Sequence, residues 1–425
     1  MSCCSASMSD RLAAAARSAL AALLLLAALL AAPAAARPGA PTILISIDGF
    51  HPDYLARGVT PNLARLAATG ATGPMRPSFP TKTFPNHWTL VTGIRPDRHG
   101  IVANRMEDPA RPGEVFTMAS DDPFWWNAAE PIWVTAEKAG LRTATMFWPG
   151  SAVAWGGTKS MGWPPAYPGG VRPRDWQAFS MDVTGLQRVE TVLDWLRRPA
   201  AIRPDFIALY FDLVDTVGHA WGPGSPRLNP ALSEVDQLIG ILLRGLDGRP
   251  VNLVIVSDHG MAASSSDRIL ALDRLLDPAD FRTIDAGAFA TIVASPGREA
   301  AVEAALLRPH DHMQCWRKAE IPARFAYGRH PRVAPYFCLA ETGWLVLRSA
   351  PTEPRAGGDH GYDHEAPEMT ALFIANGPAI RAGVSLPAFD NVAVQPLLAA
   401  LLGVPAGATD GSLAPLAPAL RTPGD

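Results

Sequence analysis

Short apolar runs recur along this chain and alternate with helical patterns, and this alternation constrains the fold more than any other feature. The runs cover residues 42–47, 143–148, 206–211, 251–256 and 370–375. Continuous apolar runs of this length are typical of strands buried on both faces, as in parallel sheets. Helical patterns lie between them, among them 60–68 and 232–246. The alternation predicts an α/β fold, with a doubly wound and mostly parallel sheet flanked by helices.

The first helical pattern and one long irregular segment add detail to this prediction. Thr60 stands where a helix cap is expected, Pro61 occupies the first helical position and Gly70 follows the end. Residues 270–348 break the alternation, because they combine dense charge, several prolines and two cysteines. We expect one large domain over 37–425, with a small inserted cap or subdomain at about 270–348.

The first 36 residues have the composition of an export signal. Arg11 and Arg17 precede an Ala/Leu-rich run that ends at Pro33 and three alanines. This pattern predicts a signal peptide at 1–36 and an exported protein, either periplasmic or secreted. The apolar run is short for a membrane span, and a retained anchor is the alternative interpretation.

Charge and cysteine content narrow the class of partner. A net charge of -3 gives no basic surface for a nucleic-acid duplex and none for a membrane. We therefore expect small-molecule substrates, no stable membrane insertion and a monomer. Cys315 and Cys338 remain after the signal is removed. In an exported protein we expect one disulfide between them, with two free thiols as the alternative.

Three carboxylates follow three of the apolar runs. Asp48 comes directly after the first run, Asp215 shortly after the third and Asp258 shortly after the fourth. Because parallel strands end at the same edge of a sheet, we expect these side chains to meet where ligands bind in open α/β sheets. A single aspartate in such a place is more often a helix cap or a turn residue.

Each carboxylate has a histidine to match it. His219 follows Asp215 by one helical turn, His259 follows Asp258 directly, and His360 stands in a Gly-Asp-His-Gly segment. Carboxylate oxygen and neutral imidazole are the usual ligands of catalytic zinc. Six such ligands are too many for one tetrahedral ion and predict two, a known arrangement for phosphoryl transfer. Manganese or iron would suit the same ligands.

A hydroxyl nucleophile is suggested by the segment 80–87, which precedes a helical pattern. Pro85 fits the first turn of a helix, so the hydroxyl of Thr83 would lie near a helix N-terminus that favours anions. Beside zinc this hydroxyl could ionise and attack phosphorus. A plain N-cap is the alternative role for Thr83, and Thr81 is the rival hydroxyl.

These segments together resemble the nucleotide pyrophosphatase/phosphodiesterase family, the type I phosphodiesterases of the alkaline phosphatase superfamily. The resemblance covers nearly all of the chain after residue 36. Its motifs are 45–50 (ISIDGF), 81–87 (TKTFPNH), 90–93 (LVTG), 99–104 (HGIVAN), 215–219 (DTVGH), 257–261 (SDHGM) and 360–363 (HGYD). Further matching segments are 317–322, 402–405 and 410–412.

The resemblance implies a hydrolase that splits phosphodiester and pyrophosphate bonds of nucleotides through a nucleotidyl-threonine, with two Zn²⁺ per chain. It implies one zinc shell of Asp48, Thr83, Asp258 and His259, and a second of Asp215, His219 and His360. Asn104 would bind a phosphoryl oxygen, although a turn residue is its alternative role. Phe84 and Tyr167 would stack on the base, although either ring could simply belong to the core. His87 would hold the nucleophile turn rather than bind metal.

Other functions were weighed against this one. A phospholipid or choline-phosphate phosphodiesterase of the same superfamily would share the metal ligands and differ in its substrate pocket. A phosphomonoesterase would need more positive charge at the phosphate, and a sulfatase would need a Cys or Ser in an activated motif near the first Asp. A metal-stabilised binding protein without turnover would have no physical need for Thr83.

Overall fold

A computed structural model describes residues 39–160, 162–354 and 356–422. The predicted signal peptide at 1–36 lies outside these residues. The strands, in chain order, are β1 (Thr42–Ile47), β2 (Ala71–Thr72), β3 (Met75–Arg76), β4 (Met106–Glu107), β5 (Val115–Phe116), β6 (Thr143–Met146), β7 (Asp175–Trp176), β8 (Phe206–Phe211), β9 (Asn252–Val256), β10 (Ala262–Ser265), β11 (Ile269–Ala271), β12 (Phe281–Asp285), β13 (Phe289–Ala294), β14 (Met313–Arg317), β15 (Tyr336–Ala340), β16 (Leu345–Leu347), β17 (Ala356–Asp359), β18 (Phe373–Asn376), β19 (Val384–Ser385) and β20 (Phe389–Asp390).

The α-helices are α1 (Pro61–Thr69), α2 (Thr83–Thr92), α3 (Pro96–His99), α4 (Pro123–Trp126), α5 (Ile132–Lys138), α6 (Gly185–Arg197), α7 (Leu213–Trp221), α8 (Asn229–Gly245), α9 (Glu299–Leu306) and α10 (Val394–Leu402). Short 3-10 turns connect them at Pro52–Arg57, Pro226–Leu228, Leu272–Arg274, Lys318–Glu320, Ala323–Phe325, Pro367–Met369, Asn391–Ala393 and Ala417–Ala419. Within the described part of the chain, none of the helices has the length and apolar character needed to cross a membrane.

The central sheet has eight strands in the order β19-β2-β18-β9-β1-β8-β6-β7. Strands β9, β1, β8, β6 and β7 run parallel to one another, which confirms the predicted fold class. The predicted runs 42–47 and 206–211 are β1 and β8 with the same bounds, whereas β6 and β9 are shorter at one end than expected. The last run forms β18, which pairs with β9 in the antiparallel direction. An apolar run carries no information on strand direction.

Both faces of the sheet are buried, and alternate residues of β1 show why its sequence is apolar throughout. Leu44 belongs to one hydrophobic cluster, together with residues of α2, α5 and α10. Ile43 and Ile45 point to the opposite face and belong to a second cluster with residues of α1, α6 and α8. Helices therefore cover the sheet on both sides, as the doubly wound prediction requires.

The start of α1 differs from the expectation in one respect. Thr60 occupies the N-cap position, but its side chain makes no capping hydrogen bond. The buried carboxylate of Asp236 on α8 accepts hydrogen bonds from the backbone N–H groups of Asn62 and Leu63 instead. The free N–H groups of this helix end are thus satisfied by a residue distant in sequence.

A second sheet lies within the segment predicted to be an insertion. Its order is β12-β13-β15-β14, and all of its pairs are antiparallel. Cys315 on β14 stands opposite Cys338 on β15, and the two form the predicted disulfide. The description of 270–348 as an inserted subdomain remains a prediction.

Candidate functional site

Three acidic side chains lie at the carboxyl edge of three neighbouring parallel strands. Asp48 directly follows β1, Asp258 follows β9, and Asp215 lies in the first turn of α7, which begins after β8. Since β9, β1 and β8 are adjacent in the sheet, its topology brings the three carboxylates together. Asp48 and Asp258 are almost entirely buried, and Asp215 is mostly so.

One group of side chains converges on the Nε2 atom of His259. This nitrogen lies 3.0 Å from Asp258 Oδ2, 3.4 Å from Asp48 Oδ1 and 3.4 Å from Thr83 Oγ1. The other ring nitrogen, Nδ1, is 2.8 Å from the Gly260 carbonyl oxygen. A carbonyl can only accept, so Nδ1 carries the hydrogen and Nε2 faces the two carboxylates with room for a cation.

A second group joins two imidazoles and one carboxylate. His219 Nε2 and His360 Nε2 are 3.1 Å apart and lie 3.5 and 3.7 Å from Asp215 Oδ1. Their Nδ1 atoms donate to the carbonyl oxygens of Gly358 and Thr81 at 2.9 and 2.8 Å. Burial first, and then the neighbouring cations, hold the pKa of His360 well below its usual range. Its Nε2 therefore presents a lone pair, as metal ligation requires.

Buried oxygen atoms without hydrogen-bond partners mark where a cation fits. These atoms are Asp48 Oδ1, Asp215 Oδ1 and Asp258 Oδ2. Buried carboxylate oxygens normally have a partner, and a bound ion is one explanation when they do not. Two sets of potential ligand atoms, each within 4.8 Å of one another, occur here: Asp215, His259 and His360, and Asp48, His87 and Asp258. The donor chemistry fits divalent metal ions such as zinc.

The electrostatics of the carboxylates lead to the same conclusion. Burial, followed by repulsion from Asp258 and Asp215, raises the pKa of Asp48 well above its usual range. Burial also raises the pKa of Asp215. Burial acts in the same direction on Asp258, but His259 and His87 outweigh it, and its pKa is well below the usual value. Concentrated negative charge of this kind is neutralised by protons or by metal ions.

His87 lies in one of these sets, but both of its nitrogens already have partners. Nδ1 is 2.8 Å from the Thr83 carbonyl oxygen and 3.3 Å from Asp258 Oδ2, and Nε2 is 2.8 Å from Ser46 Oγ. The carbonyl fixes the hydrogen on Nδ1, and Nε2 accepts from the serine hydroxyl. This arrangement suits the expected role of His87 in holding the turn around Thr83.

The two candidate hydroxyls have different surroundings. Thr83 is the first residue of α2, and the N-cap is Lys82, so the Thr83 side chain is not used as a cap. Its hydroxyl lies near the helix N-terminus and borders a cavity. Thr81 Oγ1 instead accepts from the N–H of Gly361 and donates to the Tyr362 carbonyl oxygen. The geometry therefore favours Thr83 over Thr81 as the nucleophile.

Asn104 is linked directly to the start of the nucleophile helix. Its Oδ1 accepts a hydrogen bond of 2.9 Å from the backbone N–H of Phe84. Because an N–H group can only donate, the amide orientation is fixed and the NH₂ group forms the opposite end of the side chain. Asn104 thus has donors at the right end of the amide for an anionic oxygen near Thr83.

A cavity of about 620 Å³ opens beside these residues. Asp48, Thr83 and Asp215 lie in its wall, and aromatic rings form much of the remainder: Phe84, Trp126, Phe147, Trp148, Trp176, Phe179 and Tyr210. Tyr167 is not among the described residues that line it. The sequence analysis passed over Trp176 and Phe179, because β7 is too short to give a strand pattern. Aromatic residues closely following Pro173 are the only signal that could have identified them.

Comparison with known proteins gives a family match over most of the chain. The family model of type I phosphodiesterase / nucleotide pyrophosphatase matches residues 42–363. A pyrophosphatase/phosphodiesterase of Schizosaccharomyces pombe is 37% identical, over 87% of this chain and 78% of that protein. A bis(5'-adenosyl)-triphosphatase of Xenopus laevis is 36% identical, over 87% and 79%.

Solved structures match equally well. Human ectonucleotide pyrophosphatase/phosphodiesterase 5 superposes with a TM-score of 0.83 and 32% identity, covering 90% of this chain and 100% of that chain. The murine counterpart, solved as an inactive threonine-to-alanine variant in complex with AMP, gives the same score, identity and coverage.

Proposed function

Because this chain belongs to the type I phosphodiesterase / nucleotide pyrophosphatase family, and is therefore a phosphoric diester hydrolase, we propose that it releases nucleoside monophosphates from nucleotide diesters and pyrophosphates. Thr83 is the proposed nucleophile. The observation that carries the proposal is the position of the Thr83 hydroxyl, 3.4 Å from His259 Nε2, between the candidate metal ligands and the cavity.

The proposed metal content is two zinc ions per chain. Asp48, Thr83, Asp258 and His259 would hold one ion, and Asp215, His219 and His360 the other. The unpartnered carboxylate oxygens and the convergent Nε2 atoms support this assignment. When bound, zinc supplies positive charge that lowers the pKa of the threonine hydroxyl and screens the phosphate.

The reaction then proceeds in two displacements on phosphorus. Thr83 Oγ attacks the phosphorus atom and forms a nucleotidyl-threonine ester, while the bond from phosphorus to the leaving oxygen breaks. Water then attacks the same phosphorus and releases the nucleoside monophosphate and the free threonine. The NH₂ group of Asn104 donates to a phosphoryl oxygen, and His87 holds the Thr83 backbone in place. The inactive threonine-to-alanine form of the murine relative supports this role for a threonine.

Nucleotides are the proposed substrates, with the base held against aromatic rings of the cavity. Phe84 and Trp176 both line this cavity, and an aromatic ring stabilises a stacked base by about 1–3 kcal/mol. The Xenopus relative is named for a dinucleoside triphosphate, and the murine relative was solved with AMP. These names support a nucleotide substrate over a choline-phosphate or phospholipid diester.

The remaining parts of the proposal concern the molecule outside its active site. We propose an exported protein, periplasmic or secreted, that acts as a monomer. The Cys315–Cys338 disulfide supports export, because disulfides persist in oxidising compartments. Fractionation of cells and light scattering of the purified protein test these two points.

The decisive experiment compares three chromogenic substrates on wild-type protein, Thr83→Ala and Thr83→Ser. The substrates are the nitrophenyl ester of thymidine 5'-monophosphate, nitrophenyl phosphorylcholine and nitrophenyl phosphate. We expect the nucleotide ester to be cleaved fastest, turnover to vanish in Thr83→Ala and to persist partly in Thr83→Ser, and chelation to abolish activity. Metal analysis should give two zinc ions in wild type. Turnover by Thr83→Ala near the wild-type rate would exclude the covalent route.

A further inference from the structure

One arginine in the wall of the cavity contacts two aromatic rings at once. The guanidinium carbon of Arg172 lies 5.0 Å from the ring centre of Tyr167 and 4.8 Å from that of Trp176. Its Nε donates a hydrogen bond of 2.7 Å to the Ala152 carbonyl oxygen. Separations of this size are typical of cation–π contacts, in which the planar guanidinium stacks on an aromatic face.

The three stacked side chains have different exposures to the cavity. Arg172 and Trp176 line it, whereas Tyr167 contacts Arg172 from outside that lining. Trp176 is 41% exposed, a high value for so large an apolar side chain. It lies on β7, a two-residue strand at the edge of the central sheet. The backbone pairing of this short strand leaves the indole ring to be fixed by side-chain contacts.

Neighbouring arginines have a different task from Arg172. Arg174 pairs with Glu137 at 2.9 Å, and Arg198 pairs with Asp175 at 2.9 Å. Those ion pairs attach the segment around β7 to the rest of the fold. Arg172 instead directs its guanidinium at the two rings, so its contacts orient Trp176 rather than the backbone.

We propose that Arg172 is a positioning residue for the nucleobase of the substrate. Supported from behind by Tyr167, it holds the Trp176 ring in the cavity, where a flat base stacks on it. Tyr167 then acts on the substrate through Arg172 and Trp176, without touching the base. This inference rests on the proposed nucleotide function, because only a substrate with a flat ring gains from an oriented indole.

The test measures KM and kcat for Arg172→Leu, Arg172→Lys, Trp176→Ala and the double variant Arg172→Leu/Trp176→Ala. The substrates are the nitrophenyl ester of thymidine 5'-monophosphate and methyl nitrophenyl phosphate, which has no base. Arg174→Leu is the matched control, since it removes an arginine from the same segment that does not contact Trp176. AMP affinity, measured by calorimetry on the zinc-loaded protein, gives a readout independent of turnover.

We expect Arg172→Leu to raise KM for the nucleotide ester and the Kd for AMP by about 3- to 30-fold, the range of a partly buried cation–π contact. We expect kcat to change by less than about two-fold and the base-free ester to be unaffected. Arg172→Lys keeps the charge but loses the plane, and should give an intermediate KM. The double variant should resemble Trp176→Ala alone, because Arg172 acts through that ring.

Several results would overturn the inference. Additive losses in the double variant would mean that Arg172 contacts substrate directly. Equal losses on the base-free ester, or in Arg174→Leu, would mean that the segment only shapes the fold. Normal nucleotide turnover and AMP binding in Arg172→Leu would refute the positioning role while leaving the proposed function intact. Wild-type protein that cleaves no nucleotide ester and binds no AMP would refute the proposed function, and the inference with it.

Discussion

At the scale of single residues, hydrogen bonds to the backbone decide which atoms face the candidate metal positions. Three imidazoles donate Nδ1–H to carbonyl oxygens: His219 to Gly358, His259 to Gly260 and His360 to Thr81. Partners of this kind fix the tautomer and the ring orientation of a ligating histidine. The carboxylate of Asp48 has an analogous partner, since Tyr210 donates its hydroxyl hydrogen to Oδ2 at 2.7 Å.

We expect Tyr210→Phe to weaken zinc binding by about 10- to 100-fold without unfolding the protein, because Asp48 loses the group that orients it. Competition against a fluorescent zinc chelator measures this affinity. Tyr54→Phe is the matched control, since the Tyr54 hydroxyl is buried and has no hydrogen-bond partner. Equal zinc affinity in the two variants would show that the hydrogen bond to Asp48 does not matter for metal binding.

A buried histidine outside the site predicts acid sensitivity. His99 is fully buried, and burial lowers its pKa to about 3. This value lies below the unfolded value of 6.5. The stability that the neutral ring contributes is therefore present above pH 6.5 and lost as the pH falls towards 3. The loss amounts to roughly 1.4 kcal/mol per pH unit over that window.

The variant that tests this effect is His99→Asn. His99 Nδ1 accepts a hydrogen bond from the Ile101 N–H, and an asparagine oxygen replaces that acceptor without titrating. We expect urea unfolding between pH 4 and 7 to show a shallower pH dependence in the variant, by about one bound proton. An unchanged pH slope would mean that His99 is not responsible.

At the scale of elements, the start of α1 shows how a helix end depends on a remote side chain. The Asp236 carboxylate accepts from two backbone N–H groups and from the Asn62 side chain. We expect Asp236→Ala to lower the free energy of unfolding by about 2 kcal/mol, the upper range for a lost cap. Glu234→Ala on the exposed side of the same helix should change it by less than about 0.5 kcal/mol. Similar losses in both variants would contradict the capping role.

Elements also differ in how well the sequence predicts them. β1 and β8 could be predicted to the residue, because strands buried on both faces need an unbroken apolar run. The acidic residues after such strands could be placed at one edge for the same reason. β7 could not be predicted, since two residues give no period. Trp176 was missed with it, and Tyr167 was named in its place.

Contacts between distant segments were equally out of reach of the sequence. The cap that Asp236 provides for α1 depends on how α8 packs, which no local pattern encodes. The direction of β18 depends on its partner β9 rather than on its own composition. In both cases tertiary packing decides what local propensity leaves open.

At the scale of the whole molecule, the candidate metal ligands come from elements spread along most of the chain. Asp48 follows β1, Asp215 and His219 lie on α7, Asp258 follows β9 and His360 follows β17. An ion held by such ligands exists only in the folded chain, because the unfolded chain cannot bring them together.

Zinc should therefore raise the thermal stability of the whole domain. At free zinc about 100-fold above the dissociation constant, we expect a gain near 2.7 kcal/mol per site, and a lower melting temperature after chelation. Differential scanning calorimetry with and without chelator measures the shift. An Asp215→Asn variant should lose part of the gain, and a melting temperature independent of zinc would contradict the assignment of these residues as ligands.

The spread of the ligands also sets the order of events during biosynthesis. A chain leaving the ribosome exposes Asp48 first and His360 last among the candidate ligands. β18, which pairs with the outer side of β9, follows still later. A nascent chain that ends before residue 360 thus has the neighbouring strands β9, β1 and β8 but lacks a ligand for one of the two ions. Metal loading is consequently a late step of maturation, after translation of nearly the whole domain, and the cell can delay hydrolase activity until that point.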